Sequence, residues 1–339
     1  MAQGHPGRQH PGADMKLRRR ALLGSAAVLA LSPRITRAQT YPDRPIRFIV
    51  PYAPGGSTDT SARIAAEKLT QRLGQTVVVE NKAGGGTIIG TESVVRARPD
   101  GYTLLLSPAA LIANAAFGVK VPYDIDKDLA PIVGFVDLAV LLAAANDAPF
   151  KSVAELLAYA KADPKRPIPY ASAGVGSLTH LWGEFVKART GMPLEHVGYK
   201  GSADALKDVM AGHVPLFSDV LVPTATAIRA GKVRGLAVAT RERVELLPDV
   251  PTVGEAGLPG TECTIPFGVS VPAGTPAEIV ARLNAAFNET LADKAVRQKM
   301  TELGFMPVGG KPEAYAAVVA AEITKWRQVI KDSNIPPPS

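Results

Sequence analysis

The chain has 339 residues, with 38 Lys+Arg against 31 Asp+Glu and only 6% aromatic residues. Seven of the basic residues and one acid, Asp14, fall within residues 1–38, which leaves 31 basic and 30 acidic residues beyond them, a net charge of +1. The basic character therefore belongs to the leader, and the rest of the chain offers no electrostatic case for a nucleic-acid partner.

In chain order, Lys16 and Arg18 to Arg20 form a basic n-region, followed by the apolar run Ala21 to Leu31. That run has 11 residues, short of the roughly 20 that a membrane-spanning helix needs. Thr36-Arg37-Ala38 resembles a small-residue cleavage site. We expect a signal peptide over 1–38, cleaved near Ala38, and a periplasmic mature protein. Arg19-Arg20-Ala21-Leu22-Leu23 resembles the twin-arginine export pattern, and Met15 is a second candidate start. About 300 mature residues can bury a large core, with two domains the default expectation. The single cysteine, Cys263, has no disulfide partner in the chain and sits in an apolar run as a packing residue.

Short Val/Ile/Leu-rich runs then read as buried strands: RFIV, TVVVE, YTLLLS, AVLLAAA, IPYAS, LEHVGY, VPLFSDV, VRGLAVAT and FGVSVP. Helix-period stripes separate many of them. Ala62, Ala65, Ala66, Leu69 and Leu73 form one, ended by Gly74; Val153, Leu156, Leu157 and Ala160 form a second, ended by Pro164. Leu181, Trp182, Phe185 and Val186 form a third, ended by Gly191, and Ala205, Leu206, Val209 and Met210 a fourth, ended by Gly212. The last 70 residues read as two helical segments. This alternation predicts an α/β fold with mixed, mostly parallel sheets flanked by helices.

Four strand-to-helix turns carry Gly with Ser or Thr: 54–59, 82–87, 172–180 and 199–203. Such helix starts expose free N–H groups and the positive end of the helix dipole, and together they could form an anion-binding cleft. For any one of them an ordinary capped turn is the alternative. Enzyme motifs fail on spacing. From Gly84 and Gly86 the third position of a dinucleotide fingerprint is Ile89, and from Gly174 and Gly176 it is Thr179. There is no P-loop and no nucleophile elbow. His180, His196 and His213 lack metal-ligand spacing, and Ser177 with His180 lacks an evident orienting acid.

Across residues 41–339 the chain resembles the substrate-binding proteins of tripartite tricarboxylate transporters, the Bug family. The resemblance is carried by YPDRPIRFIVPYAPGGSTDTSARIAAEKL, GQTVVVENKAGGGTIIGTESVVRARPDGYTLLL, YASAGVGSLTHLWGEFVKARTG, HVGYKGSADALKDVMAGHV, IRAGKVRGLAVATRERVELLPDVPTVGEAGLPG and VPAGTPAEIVARLNAAF, in that order. It implies a two-lobed, type II periplasmic-binding-protein fold with a hinge. Lobe one would be 41–138 plus 266–339 and lobe two 139–265, with crossovers near Phe135–Val140 and Cys263–Phe267. It also implies no catalysis and no cofactor. The partners it implies are a small carboxylate (di-, tricarboxylate or aromatic acid) and membrane permease subunits, with the receptor itself a monomer. A ligand-presenting subunit of a membrane kinase is the alternative, and an exported hydrolase a more distant one.

Carried over residue by residue, the resemblance makes Tyr52 an aromatic wall. Gly55, Gly56 and Ser57 form a turn that presents N–H groups to one end of the ligand. Asp59 caps or orients the following helix. Gly86 and Thr87 supply a second loop, and Ser107 the floor. Gly176, Ser177 and Thr179 take the distal carboxylate, and Tyr199 and Asp219 face the cleft. Asp219 is either a selector of an amino or hydroxyl group or a structural acid. Departures from the family pattern are Gly198 in HVGYKG, Val220 after Asp219, and apolar Val175 and Leu178 in the second-half turn.

Overall fold

The computed structural model describes residues 1–4, 7 and 41–337. The expected signal segment 16–38 lies outside the described residues. Ten strands and eleven α-helices follow among the described residues. The first half contains β1 (Ile46–Val50), α1 (Ser57–Leu73), β2 (Val77–Asn81), α2 (Ile88–Val95), β3 (Thr103–Ser107), α3 (Ala110–Phe117), α4 (Ile125–Asp128) and the long β4 (Leu129–Ala145). Next come α5 (Val153–Ala162), β5 (Ile168–Ser172), α6 (Leu178–Thr190), β6 (Leu194–Gly198), α7 (Ser202–Met210), β7 (Leu216–Val220), α8 (Leu221–Arg229) and β8 (Val233–Val238). The chain closes with β9 (Thr264–Pro272), α9 (Ala277–Ala292), α10 (Lys294–Glu302), β10 (Phe305–Gly309) and α11 (Pro312–Asp332).

All nine apolar runs read from the sequence fall in strands. The ladders are mixed. β1 pairs parallel with β2 and β3, and β5 pairs parallel with β6 and β7. Antiparallel ladders fill the centre, where β4 pairs with β7, β8, β9 and β10. β4 has 17 residues and serves two sheets: Leu129 to Ala139 face β9, and Val140 to Ala144 face β7. The register passes from Ala139 opposite Thr264 to Val140 opposite Val220.

Each half has its own apolar centre. In the first, Phe48 of β1, Phe135 of β4 and Phe287 of α9 meet edge-to-face, with centroids 5.9–6.2 Å apart, a geometry worth about 0.5–1.5 kcal/mol per pair beyond simple burial. In the second, Phe217, Leu141, Val209 and Val238 pack in one buried cluster. Trp182 of α6 is fully buried, and its indole N–H donates to the Thr261 carbonyl at 2.7 Å.

Two elements differ from the sequence reading. The first C-terminal helical segment breaks at Asp293, which adopts extended backbone (φ −63°, ψ 125°) and caps α10 by accepting from the N–H groups of Ala295 and Val296. β10 was unread because its Pro and flanking glycines look like a loop. It lies antiparallel on β4, and Pro307 is tolerated where its missing N–H removes no needed ladder bond. Among the described residues no helix is long and apolar enough to cross a membrane, and no cluster of His, Cys, Asp or Glu could hold a metal.

Candidate functional site

The end of β1 runs into Tyr52-Ala53-Pro54-Gly55-Gly56 and then into α1. Gly55 takes φ +83°, open to glycine without steric cost. Gly56, the N-cap, has extended backbone and no side-chain cap. Helix geometry therefore leaves the N–H groups of Ser57, Thr58 and Asp59 without carbonyl partners inside the helix. Asp59 holds the turn from behind. It is buried, and its carboxylate accepts from the Gly55 N–H (2.9 Å), Arg63 Nε (3.0 Å) and Asn81 Nδ2 (3.0 Å). Asn81 also donates to the Tyr52 carbonyl at 3.1 Å. Burial pushes the Asp59 pKa up, but hydrogen bonds from Arg63, Gly55 and Asn81 outweigh it and leave the acid below its ordinary value.

The second loop is more strained. Gly84, Gly85 and Gly86 all have positive φ, and so does Thr87, at +81°. A β-branched residue in the left-handed region is a genuine outlier. Thr87 is also buried, and its Oγ1 lacks a hydrogen-bond partner. Strain plus an unsatisfied buried hydroxyl, at a residue that lines the cavity described below, is the pattern of a functional position.

From the other half, β5 ends in Ser172-Ala173-Gly174-Val175-Gly176 before α6. Gly174 has φ +137°, and a Cβ there would lie 2.7 Å from the Tyr199 carbonyl oxygen, so only glycine fits. Ser177 is the N-cap of α6: its Oγ accepts from the His180 N–H at 3.2 Å and donates to the Gly174 carbonyl at 2.7 Å. The Gly176 N–H donates to His180 Nδ1 at 3.1 Å. The remaining free donors of this helix start are the N–H groups of Leu178 and Thr179.

Beneath this turn His180 and His196 stack, with centroids 3.8 Å apart and planes at 26°. His196 Nε2 bonds Ser172 Oγ at 2.7 Å. Burial lowers His180 to about 4, helped by Lys187, and burial with the neighbouring His180 lowers His196 to about 4 against the pull of Glu184. The His180 ring contacts Gly176 rather than the Ser177 hydroxyl, so the pair does not form a nucleophile and base.

The two turns line one cavity of about 760 Å³. Of the residues read from the sequence, it brings together Tyr52, Gly56, Ser57, Gly86, Thr87, Gly176, Ser177, Thr179 and Asp219. Tyr52 packs against Phe267, centroids 6.4 Å apart, and burial raises its hydroxyl pKa. Four residues do not line the cavity: Gly55, Ser107 and Tyr199 depart from the contacts expected of them, and Asp59 orients the turn. The Gly55 N–H is taken by Asp59, and the Asp59 carboxylate by its three donors. Ser107 Oγ pairs with Ser270 Oγ at 2.7 Å and borders a separate cavity of about 150 Å³ beside Tyr315. The Tyr199 hydroxyl turns to Asp208 Oδ2 at 2.8 Å, onto α7. Two further roles change: the Gly176 N–H and the Ser177 hydroxyl are engaged by their own turn.

The sequence reading missed Thr58, Asn114, Leu138, Ile265 and Phe267, which also line the cavity. Phe267 and Leu138 belong to apolar strands and carry no local sign of a site. Lys200 and Ser202 also line it, from the fourth Gly/Ser turn already singled out. Asp219 is fully buried, and burial raises it to about 6 against the hydrogen bonds from Ser202 and Val220.

A cavity lined by two helix starts with free N–H groups suits a small anion, and comparison with known proteins follows the same direction. Residues 61–335 match the family model described as tripartite tricarboxylate transporter family receptor. The chain belongs to that family. Protein BugT of Bordetella pertussis is 37% identical over 299 residues, covering 88% of this chain and 91% of the relative. A protein from the tcbD–tcbE intergenic region of a Pseudomonas species is 39% identical, covering 94% and 95%. Among solved structures, an R. palustris protein with adipate superposes with a TM-score of 0.78 at 35% identity, covering 88% of this chain and 100% of its own. MatC of Rhodopseudomonas palustris with bound malate gives 0.72 at 34%, covering 86% and 100%. The fold is therefore that of the two-lobed periplasmic binding proteins, and the family is one of periplasmic solute receptors rather than enzymes.

Proposed function

We propose that this receptor captures a small carboxylate in the 760 Å³ cavity and delivers it to a tripartite tricarboxylate-type permease after export. The observation that carries the reading is that two helix starts with N–H groups lacking helix partners, Ser57 and Thr58 of α1 and Leu178 and Thr179 of α6, line that one cavity. A helix start holds a carboxylate through backbone N–H groups and its dipole without an Arg partner. Tyr52, Gly56, Gly86 and Thr87 face the ligand from one side, and Gly176, Ser177 and Thr179 from the other. Gly176 and Ser177 act by shaping the turn. The neighbours solved with adipate and malate support a carboxylate cargo.

In this proposal residues 41–138 with 266–339 form one lobe and 139–265 the other, and both β4 and the approach to β9 carry the chain between them. Ligand contacts made to both lobes favour closure, because a ligand shifts an equilibrium only by its differential affinity. The closed receptor, a monomer in this reading, then docks on the permease. The test is a thermal-shift panel of dicarboxylates, tricarboxylates, aromatic acids and amino acids, followed by uptake assays with and without the permease. A true cargo at about 100 times its Kd adds about 2.7 kcal/mol of stability. No shift with any carboxylate, together with turnover of an ester or amide, overturns the reading.

A further inference from the structure

The turn between β5 and α6 uses most of its own amides. The Ala173 N–H donates to Thr179 Oγ1 at 3.4 Å, Gly174 to Ser172 Oγ at 3.3 Å, Gly176 to His180 Nδ1 at 3.1 Å and Ser177 to the Gly174 carbonyl at 3.2 Å. Farther on, His180 donates to Ser177 Oγ and Leu181 to the Ser177 carbonyl. Among the described residues the amides of Val175, Leu178 and Thr179 have no partner, and all three residues line the cavity.

His180 holds this turn from beneath. A backbone N–H can only donate, so Nδ1 of His180 accepts and the neutral ring carries its proton on Nε2. The ring is buried outside the cavity lining and stacks on His196, whose Nε2 meets the Ser172 hydroxyl. Both ends of the turn, Ser172 and Gly176, rest on one imidazole pair. The titratable groups around the pair are Glu184 and Lys187 of α6 and Tyr170 of β5, and burial keeps both rings neutral at pH 7.

We propose that His180 is a positioning residue: by accepting the Gly176 N–H at Nδ1 it fixes the turn that presents the Val175, Leu178 and Thr179 amides to the ligand, which it does not itself touch. Without that acceptor the buried Gly176 N–H is orphaned, and the Val175–Gly176 peptide turns to find water. The free amides on either side move with it. The inference rests on the receptor reading above and adds a residue that acts behind the binding surface.

The test compares His180→Asn with His180→Leu. Both lose the ring stack; Asn places Oδ1 where Nδ1 stood, and Leu offers no acceptor. The probes are malate, adipate, citrate and benzoate, titrated by calorimetry beside melting curves. For a probe that wild type binds, His180→Asn keeps the affinity within about threefold, and His180→Leu weakens it about tenfold or more, the size of one lost acceptor for a buried donor. A purely structural role would move the melting temperatures and leave the two folded variants with the same affinity; that outcome overturns the assignment while the receptor reading stands. If none of the four probes binds wild type, both fail. Nitrogen NMR of the wild type decides the matter if a variant does not fold. The Val175, Leu178 and Thr179 amide signals move on titration while the Gly176 amide stays coupled to an unprotonated His180 Nδ1. A protonated Nδ1, or a Gly176 amide that leaves His180 for the probe, overturns the proposal.

Discussion

At the residue scale, Gly56 and Asp59 divide one turn between ligand and scaffold. Asp59 locks the turn through Gly55, Arg63 and Asn81, so its carboxylate has no capacity left for cargo. Gly56 stands exposed at the cavity with ordinary extended backbone, and a Cβ there meets only the Ala53 carbonyl oxygen at 3.8 Å. Gly56→Val should therefore fold with a melting temperature close to wild type and lose measurable ligand binding, because its branched side chain covers the α1 donors. Calorimetric titration beside a melting curve checks both halves. Retained affinity would make the turn a helix start and nothing more. The local pattern of Gly and Ser/Thr before a helix made this turn legible in the sequence. Which of its groups remain free was not legible, because that depends on Asn81, twenty-two residues beyond Asp59.

At the scale of elements, α6 combines a cap, a close approach and a buried polar pair. Gly183 sits where a Cβ would lie 2.3 Å from the Tyr170 ring, whose hydroxyl donates to Glu184 Oε1 at 2.7 Å. The helix can lie this near β5 only because residue 183 has no side chain. Gly183→Ala should destabilise the protein by about 2 kcal/mol or more through overpacking, despite the better helix propensity of alanine. Chemical denaturation measures it; a neutral or stabilising result would mean that α6 shifts freely on the sheet. The same element explains an error of the sequence reading. Ser177 and Gly176 look like ligand donors because they are polar and precede a helix, but the short loop folds their groups back onto Gly174 and His180. Tyr199 looks similar in the sequence, yet α7 supplies Asp208 as its partner.

At the scale of the whole molecule, stability should respond to pH through the stacked histidines. Both ordinarily titrate near 6.5 and are lowered to about 4 in the fold. Between those values the unfolded chain binds the protons and the native one does not, so their stabilising contribution is present above 6.5 and is lost as pH falls toward 4. Asp219 acts with the opposite sign: raised to about 6, it stabilises at low pH and loses that contribution as pH rises through about 6. With two histidines against one acid, melting temperature should fall from pH 6.5 to 4. His196→Gln should flatten that decline, by up to about 3 kcal/mol on full titration of one histidine. Melting curves over this range test it, and identical slopes for the two proteins would remove the histidine pair as the cause.

The sequence alone determined the α/β class, the positions of the nine apolar strands and the four Gly/Ser turns, because each is written in local periodicity and punctuation. The failed spacings likewise disposed of dinucleotide and P-loop chemistry. Only the tertiary structure decided which turns share a cavity. Ser107 was drawn away by Ser270, 163 residues distant, and Phe267 was brought in beside Tyr52. It also decided that Asp219 is buried with one oxygen unpaired. Such facts depend on non-local packing and on how many donors reach a given acceptor, and neither quantity is encoded in the few residues around a motif.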